Sequence, residues 1–149
     1  MNILFVCTGN TCRSPMAQAL FASIADEKHL KVKVKSAGIF ASDHGKASYQ
    51  AVEALFEKSI PLNHTSSKVT EELIEGADYI FTMTAQHKQF ILEQYGQAKG
   101  KVFTLKEFAT GMDGDVSDPF GGSLSIYQET RDELEVLLYQ LAEQLEKES

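Results

Sequence analysis

Ile3-Leu4-Phe5-Val6-Cys7-Thr8-Gly9-Asn10-Thr11-Cys12-Arg13-Ser14-Pro15 is the stretch on which the reading of this chain turns. An apolar run stops at a cysteine, and after five more residues comes an arginine followed by Ser-Pro. Residues 2–7 therefore read as a buried strand. Ser14-Pro15 reads as the opening of a helix, with Ser14 as N-cap and Pro15 in the first turn. The C-x5-R spacing gathers a thiol, a guanidinium and a row of backbone N–H groups around one small cavity, a setting suited to a phosphate dianion.

Outward from this junction, apolar spacing predicts a regular alternation. A helix runs to about Lys28 with the stripe Met16, Ala19, Leu20, Ser23 and Ile24, and a strand covers Lys31–Ala37, closed by Gly38. A loop over 39–46 leads to a helix over Lys46–Lys58, carried by Ala47, Ala51, Ala54 and Leu55, and residues 59–68 read as irregular. Then follow a short helix at Thr70–Gly76, a strand at Ala77–Met83, a helix at Ala85–Tyr95 and a strand at Lys101–Leu105. Residues 106–122 read as one long loop, and a last helix runs from about Ser123 to Lys147. Its stripe is Ile126, Thr130, Leu134, Leu137, Leu138, Leu141 and Leu145, with Glu133, Glu135, Glu143 and Glu146 on a solvated face. Such alternation means an α/β fold with a mostly parallel sheet and helices on both faces. Ligands bind beyond the carboxyl ends of such strands, where the Cys7–Arg13 loop emerges.

The chain has 149 residues, 43% apolar and 23% charged, and is expected to form a single domain over 1–149. A net charge of −7 argues against general nucleic-acid binding. No run is long and apolar enough for a membrane span, and no secretory signal is evident. Two cysteines five residues apart suit neither a disulfide scaffold nor a zinc site, so a reducing cytoplasm is the expected compartment. His29, His44 and His87 read as surface residues.

The loop carries its own chemistry. A helix N-terminus and the Arg13 guanidinium are expected to lower the pKa of the Cys7 thiol and favour its anion. The N–H groups of Thr8, Gly9, Asn10, Thr11, Cys12 and Arg13 can bind phosphoryl oxygens, Gly9 lets the loop curl, and Asn10 tolerates left-handed angles. Arg13 can clamp two oxygens at once. The Ser14 hydroxyl can hydrogen-bond the thiolate. Cys12 can either pair reversibly with Cys7, guarding it from over-oxidation, or simply pack against the sheet.

Val6-Cys7-Thr8-Gly9-Asn10-Thr11-Cys12-Arg13-Ser14-Pro15-Met16-Ala17, with Ser36-Ala37-Gly38 and Asp118-Pro119-Phe120 further on, resembles the low-molecular-weight protein-tyrosine phosphatase family over essentially the whole chain. The resemblance implies a three-layer sandwich around a four-stranded parallel sheet of order 2-1-3-4. It implies Cys7 as nucleophile, Arg13 as phosphate clamp and Asp118 as general acid, with no cofactor or metal. Asn10, Ser36 and His64 match positions that brace the loop, although Thr65-Ser66-Ser67 replaces the basic residues that often flank that histidine. Asp118-Pro119 taken alone would also suit a plain turn.

Thr11 departs from the bulky aliphatic residue usual in the tyrosine-specific members, and here the chain resembles the bacterial protein-arginine phosphatase branch. A phosphoguanidinium group is flat and rich in N–H donors, which the Thr11 hydroxyl and the Asp118 carboxylate can accept. Phe40 and Phe120 are candidates to flank it by stacking, or are ordinary packing residues. The expected activity is hydrolysis of phosphoarginine in phosphorylated proteins by a monomer, through a cysteinyl-phosphate. The alternative is a protein-tyrosine phosphatase. An arsenate reductase would need redox cysteines beyond Cys12, a sugar-transport phosphocarrier would not need Arg13 and a distal acid, and a phosphoresidue-binding module would have no need to keep Cys7, Arg13 and Asp118 together.

Overall fold

In a computed structural model, which describes residues 1–148, the alternation resolves into one parallel sheet. Its strands are β1 (Asn2–Cys7), β2 (Lys33–Gly38), β3 (Tyr79–Thr82) and β4 (Val102–Thr104), in the order β2-β1-β3-β4. Six helices cover it: α1 (Arg13–Glu27), α2 (Tyr49–Phe56), α3 (Glu71–Gly76), α4 (Ala85–Gln94), α5 (Leu105–Thr110) and α6 (Leu124–Glu148).

The strand period of two explains the layers. Ile3 and Phe5 of β1 point into a core shared with α1, α2 and α6, where Met16, Phe21, Leu55, Leu138 and Leu141 are fully buried. Leu4 and Val6 point the other way, into a second core with Ile74 of α3 and Ile91 of α4. The central strand is thus buried on both faces, as parallel sheets require. None of the helices among the described residues is long and apolar enough to cross a membrane.

Several boundaries differ from the sequence expectation. Helix α1 begins at Arg13 with Cys12 as its uncapped N-cap, so Ser14 lies inside the first turn rather than capping it. Helix α2 begins at Tyr49, because Ser48 caps it by accepting the Ala51 N–H, which leaves Ala47 outside. Strand β2 begins at Lys33. Within 106–122 the chain first makes α5, fixed by a capping box in which Thr104 and Glu107 each accept the other's N–H. On the helix faces Ser23 and Ile126 are exposed, while Phe21 and Tyr127 fill the core.

Strand order places the ends of β1, β2 and β3 at one edge, with Cys7 in register with Gly38. Gly38 is needed there for space: a Cβ on it would lie 2.6 Å from the Thr8 carbonyl oxygen and 2.8 Å from the Asn10 nitrogen. The loop after β1 therefore rests directly on the backbone that ends β2.

Candidate active site

Cys7 ends β1 with its thiol at the floor of a cavity of about 210 Å³. Thr8, Gly9, Thr11, Cys12, Arg13, Asp118 and Phe120 form the walls. The sulfur is 2.8 Å from the Ser14 hydroxyl and receives the Asn10 N–H at 3.3 Å. Burial pushes the Cys7 thiol above its ordinary value, while the Ser14 hydroxyl, the Ser14 and Asn10 N–H groups and Arg13 pull it down. The groups expected to lower it are in place, but burial outweighs them, which corrects the expectation of a lowered thiol.

Asn10 and Ser14 stand behind the pocket wall rather than in it; both are fully buried. Asn10 adopts the left-handed conformation (φ 56°), which lets the loop curl, and Gly9 takes no positive φ. The Asn10 side chain donates to Ser14 Oγ at 2.8 Å and to Ser36 Oγ at 3.0 Å, and its carbonyl accepts the Ser67 N–H at 2.9 Å. Because Ser14 Oγ already accepts from Asn10, its own hydrogen is free to face the Cys7 sulfur. Ser36 passes its hydrogen on to Gln18 Oε1 at 2.7 Å. His64 donates from Nε2 to the Asn10 carbonyl oxygen at 2.8 Å, and burial lowers its pKa, so the ring is neutral near pH 7. Gln18 and Ser67 carried no signal of this role in the sequence, since their partners meet them only through the fold.

Arg13 is buried, donates from Nη1 to the Val116 carbonyl at 3.0 Å, and lies with Nη2 3.6 Å from the half-exposed Asp118 carboxylate. The Asp118 carboxylate also accepts the Phe120 N–H at 3.1 Å, the turn that Asp-Pro suggested. The loop bearing Asp118 is pinned on both sides: Asp115 accepts the Ala85 N–H of α4 at 2.8 Å, and Glu133 of α6 accepts from the N–H and hydroxyl of Ser117 at 3.0 and 3.1 Å. Glu133 is therefore not simply on a solvated face. Among the described residues no three His, Cys, Asp or Glu side chains are placed to hold a metal ion.

Phe120 reaches the cavity and is strongly exposed. Phe40 packs edge-on against Phe90 of α4, ring centroids 5.6 Å apart, outside the cavity lining. Cys12 is a free thiol beside Tyr127 Oη at 3.2 Å, and burial together with that contact pushes the Tyr127 phenol up to about 12. His29 and His44 are exposed as expected, but His87 is only 4% exposed and bonds Thr8 Oγ1 through Nε2 at 2.9 Å, which corrects its placement on the surface.

Comparison with known proteins shows the family. Residues 2–149 match the family described as low molecular weight phosphotyrosine protein phosphatase. The chain is 66% identical to the protein-arginine-phosphatase of Bacillus subtilis, over 99% of both chains. It is 42% identical to the low molecular weight protein-tyrosine-phosphatase PtpB of Staphylococcus aureus, over 95% of this chain and 96% of that one. A solved structure of the YwlE arginine phosphatase, a C7S mutant with a phosphorylated active-site serine, superimposes with a TM-score of 0.97 at 65% identity, covering 99% of this chain and 97% of that one.

Proposed function

Because the chain belongs to the low molecular weight phosphotyrosine protein phosphatase family, we propose that it removes the phosphoryl group from phosphoarginine in proteins, working as a cytoplasmic monomer. The observation that carries this reading is the Cys7 sulfur, held 2.8 Å from Ser14 Oγ beneath walls that include Thr11, Arg13 and Asp118.

In the proposed reaction Cys7, its proton having passed to solvent, attacks phosphorus as the thiolate in line with the leaving nitrogen. The P–N bond breaks, its electron pair stays on the guanidine nitrogen, and Asp118 supplies the proton. The product is a cysteinyl-phosphate and a neutralised leaving group. Water then attacks phosphorus and gives its proton to Asp118, returning the thiolate and releasing phosphate. Arg13 and the loop N–H groups hold the three outer oxygens throughout, so positioning and charge stabilisation supply most of the rate. A serine phosphorylated in the active site of the C7S relative supports a covalent phosphoryl intermediate. The Asn10, Ser36 and His64 bonds act as loop support. Cys12, free at the pocket wall, is proposed as a redox partner for Cys7.

Thr11 supports the arginine reading. An aliphatic side chain in its place would leave guanidinium N–H donors unpaired, at about 1–3 kcal/mol. Thr11→Ile is expected to lower kcat/KM for a phosphoarginine peptide about tenfold while sparing a phosphotyrosine peptide. An unchanged ratio between the two substrates would sink the specificity assigned to Thr11; the alternative reading, a tyrosine phosphatase, is supported by the 42% identity to PtpB. Loss of all turnover in Cys7→Ala is the outcome that the proposed nucleophile requires.

A further inference from the structure

His87 is the buried titratable group that the mechanism leaves without work. It opens α4, is 4% exposed, and makes one side-chain bond, from Nε2 to Thr8 Oγ1 at 2.9 Å. Its other ring nitrogen, Nδ1, is buried with no hydrogen-bond partner. Thr8 belongs to the pocket wall, next to Cys7.

The orphaned nitrogen decides the direction of the bond. A neutral imidazole carries one hydrogen. If Nδ1 held it, an N–H donor would be buried without an acceptor, the rarer and costlier defect. With the hydrogen on Nε2, only a lone pair goes unused. His87 is held neutral: burial and the nearby Arg13 guanidinium lower its pKa to about 4, against the opposite pull of Asp115 and Asp118. Nε2 then donates, Thr8 Oγ1 accepts, and the Thr8 hydroxyl hydrogen is left to turn elsewhere. The Phe40 N–H fixes the Thr8 carbonyl at 2.9 Å, so the residue has little freedom to rotate away.

We propose that His87 is a positioning residue which, by donating to Thr8 Oγ1, turns the Thr8 hydroxyl hydrogen into the pocket as an extra donor to the bound phosphoryl oxygens. The inference rests on the phosphatase reading of the pocket and adds to it a side-chain donor besides Arg13. It also links the first turn of α4, whose Ala85 N–H holds Asp115 of the acid loop, to the opposite wall.

Two measurements test it. Long-range proton–nitrogen NMR of the wild-type protein is expected to show His87 protonated on Nε2 and bare on Nδ1; the reverse tautomer overturns the proposal. Orthovanadate inhibition is the second. Thr8→Val and His87→Leu are each expected to weaken it about tenfold, the loss of one hydrogen bond to an anion. The double variant should lose no more than either single one, and His87→Gln, which keeps an N–H donor, should recover most of the affinity. Thr8→Val at full vanadate affinity, or additive losses in the double variant, overturns the proposal. Thr8 is exposed, so its variant decides the matter even where His87→Leu fails to fold. Hydrolysis of para-nitrophenyl phosphate that is lost in Cys7→Ala keeps the phosphatase reading standing whichever way these arms fall.

Discussion

At Cys7 burial favours the neutral thiol, while Ser14, Asn10 and Arg13 favour its anion. Removing the Ser14 hydroxyl keeps the burial and deletes the bond at 2.8 Å. Ser14→Ala is therefore expected to raise the thiol pKa further and to slow alkylation by iodoacetate at neutral pH about tenfold. A pH profile of alkylation that is the same in Ser14→Ala as in wild type would remove Ser14 from this role. Cys7 and Arg13 could be read from their C-x5-R spacing, and Asp118 only from the family resemblance, since Asp118-Pro119 alone also suits a turn. His87, Gln18 and Ser67 could not, because a histidine, a glutamine and a serine are ordinary surface residues until the fold supplies partners such as Thr8 Oγ1 and Ser36 Oγ. Asn10 adopts the left-handed angle that its residue type tolerates, as its sequence suggested, while Gly9 beside it does not.

At the level of elements, the loop between α5 and α6 is aimed by its anchors. Val116 donates to the Met83 carbonyl at 2.8 Å at the end of β3, Asp115 holds α4, and Glu133 holds Ser117 from α6. Glu133→Ala deletes the acceptor one residue before Asp118. It is expected to lower kcat several-fold on phosphoarginine, whose leaving group needs a proton, and less on para-nitrophenyl phosphate, whose leaving group hardly does. Unfolding stability should fall by only about 1 kcal/mol. Equal losses on both substrates would mean that the anchor does not aim the acid. Most strands and helices were legible because apolar periodicity is strong in them, whereas the strand order came only from the family resemblance. Helix α5 was missed because its six residues are too few to show a helical period, although the Thr104-x-x-Glu107 signature of its capping box was present. On α6 the stripe holds from Thr130 to Leu145, and only its first member is off, with Tyr127 buried in place of the exposed Ile126.

For the molecule as a whole, one buried and one half-buried histidine tie stability to pH. The unfolded chain takes up a proton at His87 near the ordinary value of 6.5, the folded chain only near 4. Between those values protons bind the unfolded state, so stability present near neutrality is lost as the solution is acidified. His64, also lowered by burial, acts in the same direction. Urea unfolding at pH 7 and pH 4.5 is expected to show wild type losing on the order of 2 kcal/mol more than His87→Asn. An identical loss in both would mean that His87 titrates normally in the fold. Elsewhere, the contact between Cys12 and Tyr127 has an optical side. The chain contains no tryptophan and five tyrosines, so its ultraviolet fluorescence is phenolic. One of those five rings rests with its oxygen 3.2 Å from a sulfur in the pocket wall, where a thiol quenches light that a disulfide or a sulfinate would treat differently. Oxidation of Cys12 is therefore expected to change the protein's own tyrosine emission, readable without a dye or a substrate.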